Sequence, residues 1–216
     1  MADPTPVVFI VDDDRSVRDA LRLLVESAGW QAAAFASALA FLAHPQVVVP
    51  SCLLLDVRLP DMDGCELQQR LADRPGMPII VMSGQADVPM TTRAMKAGAM
   101  DFFTKPFAGD ALLRAIGDAL DRSRASLDGA ARTRALRLDY ASLSPRQREV
   151  MALVVAGCLN KQVGGELGIS EITVKAHRGQ IMRKMHAGSL PDLVRMADRL
   201  SLVSAKEDRL TGVHTR

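Results

Sequence analysis

Apolar positions along the first 120 residues follow two alternating rhythms. Short unbroken runs occur at 7–11 (VVFIV), 31–35 (QAAAF), 52–55 (CLLL), 79–82 (IIVM) and 101–103 (DFF), each a strand candidate. Between them the period lengthens. In RSVRDALRLLVESAG, positions 17, 20, 21, 24, 25 and 28 are apolar, and Gly29 stands where a helix can end in left-handed backbone. Further helices are predicted at 37–44, 64–73, 89–97 (stopped by Gly98) and 109–122. Five βα units in succession predict an α/β domain, residues 1–120, with a parallel sheet covered by helices on both faces. Right-handed crossovers favour the flavodoxin-like (βα)5 strand order 2-1-3-4-5.

Residues 121–141 lack proline and are rich in Ala, Arg and Leu, which predicts a helical linker continuing the fifth helix. Ile116, Leu120 and Leu127 could extend it as a seam for self-association, with Gly129 weakening a long helix; a solvated spacer fits equally well. From Ser144 the pattern is helical throughout. Ser144, Pro145 and Gln147 form an N-terminal signature: a hydroxyl cap, proline at the first helical position and a glutamine able to close a capping box. That helix runs to Gly157. Asn160 is expected to cap a short helix at 161–167, Gly168-Ile169 to turn the chain, and Ser170 to cap a longer helix at 171–185. A fourth helix is predicted at 189–200. The result is an all-α four-helix domain over 142–204 with a polar, disordered tail at 205–216.

Length and composition agree with two packed domains: 216 residues, 48 % hydrophobic. No apolar run reaches the roughly 18–20 residues of a membrane span. The N-terminal stretch MADPTPVVFIVDDD carries neither a basic segment nor a cleavable apolar core, so no secretory signal is expected and a cytoplasmic location is. Three cysteines, Cys52, Cys65 and Cys158, have no metal-ligand spacing and read as reduced thiols. The net charge of +2 conceals an asymmetry: 15 acidic and 10 basic side chains in residues 1–120, against 7 acidic and 12 basic in 140–216. The basic surplus suggests a polyanion partner for the second part alone, though a solvated face has the same composition.

Candidate chemistry gathers at the carboxyl ends of the strands, where open α/β sheets bind ligands. Asp12 and Asp13 follow the first strand, Asp56 the third, Ser83 the fourth and Lys105 the fifth. A carboxylate ending a buried run demands a partner. Hard oxygen donors suit Mg²⁺ (or Mn²⁺), and a hydroxyl and an ammonium beside them suit a phosphoryl group. Asp14 reads as a helix-start residue, and Asp61 and Asp63 as turn formers.

The segments VDDDRSVR, LLLDVRLPDMDG, IIVMSGQADVPM and DFFTKPF together resemble the receiver domain of two-component response regulators, in particular the FixJ/NarL type. The resemblance implies that Asp56 is the phosphoacceptor. It implies that Asp13 and Asp56 bind the metal directly, Asp12 mainly through water, and Arg58 by its backbone carbonyl. Ser83 and Lys105 would hold phosphoryl oxygens, Phe102 would be an aromatic switch, and the Lys105–Pro106 bond would be cis. The implied partner is a sensor histidine kinase, with a homodimer forming on phosphorylation.

Residues 144–200, with LSPRQREVMALVVAGCLNKQVGGELGISEITVKAHRGQIMRKM, resemble a LuxR/NarL-type helix-turn-helix domain. On the helix 171–185, Val174, Ile181 and Met185 share an inward side with His177 at its edge. Lys175, Ala176, Gly179 and Arg183 lie opposite, on the face expected to enter the major groove of promoter DNA. Thr173, Lys161 and Arg178 are candidates for phosphate contacts, and Lys175 for a base contact. Gly179 has no side chain to read a base, and Gly164-Gly165 interrupts the short helix at a cost of about 1 kcal/mol per glycine. The two resemblances together imply a phosphorylation-dependent transcriptional activator that contacts RNA polymerase and is not an enzyme. Two rivals remain open here. Asp12-x-Asp14-x-Ser16 resembles the nucleophile motif of haloacid-dehalogenase-type phosphatases, and a receiver-like adaptor would bind protein and not DNA.

Overall fold

The computed structural model describes residues 4–71, 76–85 and 88–200. The chain divides into two compact units between Gly129 and Ala130. The first unit opens β1(Val7–Val11), α1(Arg15–Ser27), β2(Gln31–Phe35), α2(Ala38–Leu42) and β3(Ser51–Asp56). It continues α3(Gly64–Arg70), β4(Ile79–Ser83), α4(Val88–Lys96), β5(Asp101–Thr104) and the start of α5(Gly109–Ala141). The strands form one parallel sheet in the order β2-β1-β3-β4-β5, the order the crossover rule favoured.

Strand residues alternate between two cores, as the period of two requires. Phe9, Val11, Leu53, Leu55 and Val81 point to the side covered by Phe41 of α2, Leu67 of α3 and Ala94 of α4. Val8, Ile10, Cys52, Leu54, Ile80 and Met82 point to the side covered by Leu21 and Val25 of α1 and Leu112 and Ile116 of α5. Ile116 and Leu120 are buried in this second core, which corrects the expected self-association seam: both side chains are used up by the first unit's own sheet. Gly129 does not break α5, and a side chain there would meet nothing. Ser123 of α5 is fully buried and accepts a hydrogen bond from the Ser51 backbone N–H at 2.9 Å, tying this helix to the start of β3. All three cysteines are free thiols, and burial pushes that of Cys52 up to about 12.

The second unit takes the end of α5 and adds α6(Pro145–Val155), α7(Asn160–Leu167), α8(Glu171–Lys184) and α9(Leu190–Arg199). Its core joins Leu136, Val150, Met151, Val154, Val163, Val174, Ile181, Met185 and Leu193. The Ser144–Gln147 capping box is present in both directions. Asn160, expected to be a cap, is instead the first residue of α7, after an extended Leu159. Gly168 ends α7 in left-handed backbone at φ 67°, and Ser170 caps α8 through the Thr173 N–H. The tail 205–216 lies outside the described residues. Among the described residues no helix is long and apolar enough to cross a membrane.

Candidate functional site

Strand register builds the first site. Val11 of β1 pairs with Leu55 of β3, so the next residues, Asp12 and Asp56, emerge side by side. Ser83 ends β4 opposite Thr104 of β5, which brings Lys105 to the same end of the sheet through a Lys105 N–H to Ser83 carbonyl bond of 2.8 Å. Carboxylate oxygens of Asp12, Asp13 and Asp56 all lie within 4.8 Å of one another. Asp12 and Asp56 are buried and Asp13 is exposed. The Lys105 ammonium donates to Asp12 Oδ2 and to Asp56 Oδ2, each at 2.5 Å.

This is a crowded electrostatic arrangement. Burial lifts the Asp12 carboxyl above its ordinary range, more than the Lys105 bond can lower it. Burial alone would depress Lys105, but its bonds to Asp12 and Asp56 hold it above the ordinary lysine value. One ammonium therefore serves two of the three carboxylates, and Asp13, exposed at the mouth, is left without it. Oxygen donors this close, with one of the three open to solvent, suit a small hard divalent cation.

The other expected residues are placed as follows. The Ser83 hydroxyl is fully buried and donates to the Gln85 carbonyl at 2.6 Å, so it is spent within its own turn and makes no bond to the acidic trio. Phe102 is half-buried on β5, packed against the α2–α4 core. Arg58 gives its backbone N–H to Asp56 Oδ1 at 3.0 Å and its guanidinium to Gln85 Oε1 at 3.2 Å. The Lys105–Pro106 bond is cis. Asp14 caps α1, accepting from Ser16 N at 2.8 Å and Ser16 Oγ at 2.6 Å, and is not one of the trio.

Several supporting residues escaped the sequence. Asp61 is not only a turn former: its carboxylate accepts from Ala38 N and Leu39 N at 3.2 and 2.8 Å, capping α2 from more than twenty residues away. Asp63 caps α3 through Cys65 N and holds Arg93 at 3.0 Å. Gly64 has a steric reason, since a Cβ there would sit 2.7 Å from the Asp56 carbonyl. The Asp63-Gly64 pair was the available signal for it.

In the helical unit, Lys175, Ala176, Gly179 and Arg183 are exposed along α8, while Val174, Ile181 and Met185 are buried. Lys175 makes only a loose 3.5 Å pairing with Glu171. Lys161 is exposed on the first turn of α7. Thr173 is half-buried with its hydroxyl 2.8 Å from Ser170 Oγ. Arg178 is half-buried and donates to Asn160 Oδ1 at 2.6 Å, so it ties α8 to α7. Gln147 does the same from α6: its Nε2 donates to Gln180 and its Oε1 accepts from Lys184. Gly164 is explained by a Cβ that would lie 2.8 Å from the Ile169 carbonyl, where α7 meets the turn into α8. Nothing in the structure explains Gly165. His177 is half-buried and its Nδ1 has no hydrogen-bond partner, in keeping with a packing role.

Comparison with known proteins bears on both sites. Residues 8–117 match the family model of the response regulator receiver domain, and residues 141–197 that of the luxR family of bacterial regulatory proteins. The chain is similar to the response regulator protein TmoT of Ectopseudomonas mendocina, 47 % identical over 93 % of this chain and 91 % of that protein. It is similar to the transcriptional regulatory protein FixJ of Bradyrhizobium diazoefficiens, 39 % identical over 91 % of this chain and 97 % of that one. Among solved structures, the response regulator StyR superposes with a TM-score of 0.80 at 44 % identity, covering 90 % of this chain and 99 % of that one.

Proposed function

We propose a function from the premise that the chain belongs to the response regulators built of a receiver domain and a LuxR-type DNA-binding domain, a family of transcription regulators and not of conventional enzymes. In our reading, Asp56 accepts a phosphoryl group from a sensor histidine kinase, and α8 carries the response to promoter DNA. The observation that carries this is the meeting of Asp12, Asp13, Asp56 and Lys105 at one end of the sheet.

The residues suggest the course of the reaction. An Asp56 carboxylate oxygen attacks the phosphorus of a phosphohistidine in line. The P–N bond breaks, its electron pair leaves with the imidazole, and an acyl phosphate forms on Asp56. Lys105, already bonded to Asp56 Oδ2, offsets charge on the phosphoryl oxygens. Asp12, Asp13, Asp56 and the Arg58 carbonyl would hold Mg²⁺ (or Mn²⁺), which would supply further charge neutralisation. The Ser83 hydroxyl then leaves the Gln85 carbonyl for a phosphoryl oxygen, and Phe102 turns into the space released. The population shifts toward a second packing of the α4–β5 surface. That surface pairs two copies in a homodimer, which places two α8 helices on successive half-sites. Lys175 reads a base, Lys161, Thr173 and Arg183 meet the backbone and groove edge, and Arg178 holds the helix for them. The dimer activates transcription by contact with RNA polymerase. The protein works in the cytoplasm, and its phosphoryl chemistry is confined to its own Asp56.

A footprint on promoter DNA, with and without acetyl phosphate and Mg²⁺, tests this reading. Protection of two half-sites about one helical turn apart, strengthened by the phosphodonor, is expected. Protection that ignores the phosphodonor would contradict it.

A further inference from the structure

Ile172 lies one position into α8 with 80 % of its surface exposed. At 3.6 residues per turn it sits on the side of the helix opposite Val174 and Ile181, both fully buried. Counting forward, Lys175, Ala176, Gly179 and Arg183 stand three, four, seven and eleven positions later, so Ile172 heads the same stripe. The middle of that stripe, Ile172, Ala176 and Gly179, is apolar or bare, with cations only beside and beyond it. A face turned only to water has no use for this. An exposed isoleucine gains nothing there, and glycine inside a helix costs about 1 kcal/mol relative to alanine. The chain's own packing does not call for that glycine, because a Cβ on Gly179 would meet no atom within 4 Å. The small residues clear a path for an object approaching from outside, and the isoleucine offers that object an apolar contact.

Resting on the DNA-binding reading above, we infer that Ile172 is a specificity-determining residue that packs against the 5-methyl group of a thymine in each half-site. Recognition helices present their N-terminal residues to base edges, and the thymine methyl is the apolar feature of the major groove. Ala176 and Gly179 let the helix approach closely enough for that contact.

The test uses the full-length protein with acetyl phosphate and Mg²⁺, and a duplex selected by that protein from a randomised library. Each thymine of the duplex is replaced in turn by deoxyuridine, which removes the methyl and keeps the pairing. One position per half-site is expected to lose about fourfold in affinity, the transfer free energy of one methyl group. Ile172→Ala should bind more weakly and lose its response to deoxyuridine at that position alone; Ile172→Val should keep it. Thermal melting should stay unchanged for Ile172→Ala. Gly179→Leu should weaken binding to every duplex without lowering the melting temperature. Wild-type binding indifferent to every replacement, or methyl sensitivity that survives in Ile172→Ala, would overturn the inference and leave the DNA-binding reading standing. Selection that yields no bound duplex would remove both.

Discussion

The carboxyl end of the receiver sheet and the exposed face of α8 are built on opposite terms. At the sheet end every reactive side chain but one is already engaged. Lys105 is shared between Asp12 and Asp56, and the Ser83 hydroxyl is held by Gln85. On α8 the outward residues have almost nothing to do within the chain: Lys175 pairs loosely, Gly179 faces open space and Ile172 touches water. Buried carboxylates share one ammonium there and so stand under internal electrostatic conflict, which a bound cation would relieve. A surface meant to recognise is left idle until its partner arrives, and its cost is a glycine and an exposed isoleucine.

Removing Lys105 should show the conflict at its largest. Lys105→Ala leaves two buried carboxylates without their cation and should destabilise the metal-free protein by roughly 3 kcal/mol in denaturant titration. Burial already holds Asp12 above the ordinary carboxylate range, so the folded state takes up its proton before the unfolded state does. The loss should therefore shrink as pH falls into that raised range. Added Mg²⁺ should also shrink it.

The glycine pair in α7 comes next. Gly164→Ala drives a methyl against the Ile169 carbonyl and should cost about 1–3 kcal/mol. Gly165→Ala, in open space, should add up to about 1 kcal/mol of stability. Thermal unfolding of the two variants should shift in opposite directions, and equal shifts would remove the steric account. Idle residues should behave otherwise. Lys175→Ala should leave the melting curve alone while weakening sequence-specific DNA binding about tenfold by fluorescence anisotropy.

The smallest effect belongs to Asp61. Its bonds to the Leu39 and Ala38 N–H groups hold its carboxyl below the ordinary range. The stability it contributes is complete above that range and is lost as pH falls through the lowered value, the reverse of Asp12. Asp61→Asn should flatten the acid limb of the receiver's stability curve, read by circular dichroism.

The sequence made the sheet order and the acidic trio legible because both follow from strand ends, and strand ends show as breaks in apolar runs. Asp12, Asp56 and Lys105 could be brought together without any tertiary information beyond the crossover rule. Asp61 could not, because its partners lie on α2, a short helix whose distance from it in sequence hides their contact. Asn160 looked like a cap and is instead the acceptor for Arg178, a contact between two helices that local spacing does not encode. Ile116 and Leu120 looked free for a partner because the linker's helical period runs on unbroken from the receiver's; only the packed sheet shows that it claims them. Ile172 shares the outward side of α8 by spacing, but only its 80 % exposure shows that nothing else in its own unit covers it.

The central claim is that Asp56 takes the phosphoryl group. The most direct measurement is the intact mass of the full-length protein after incubation with acetyl phosphate and Mg²⁺, beside Asp56→Asn treated identically. Wild type should gain one phosphoryl group, labile to hydroxylamine, and the variant none. A variant that gains the same mass would contradict the account.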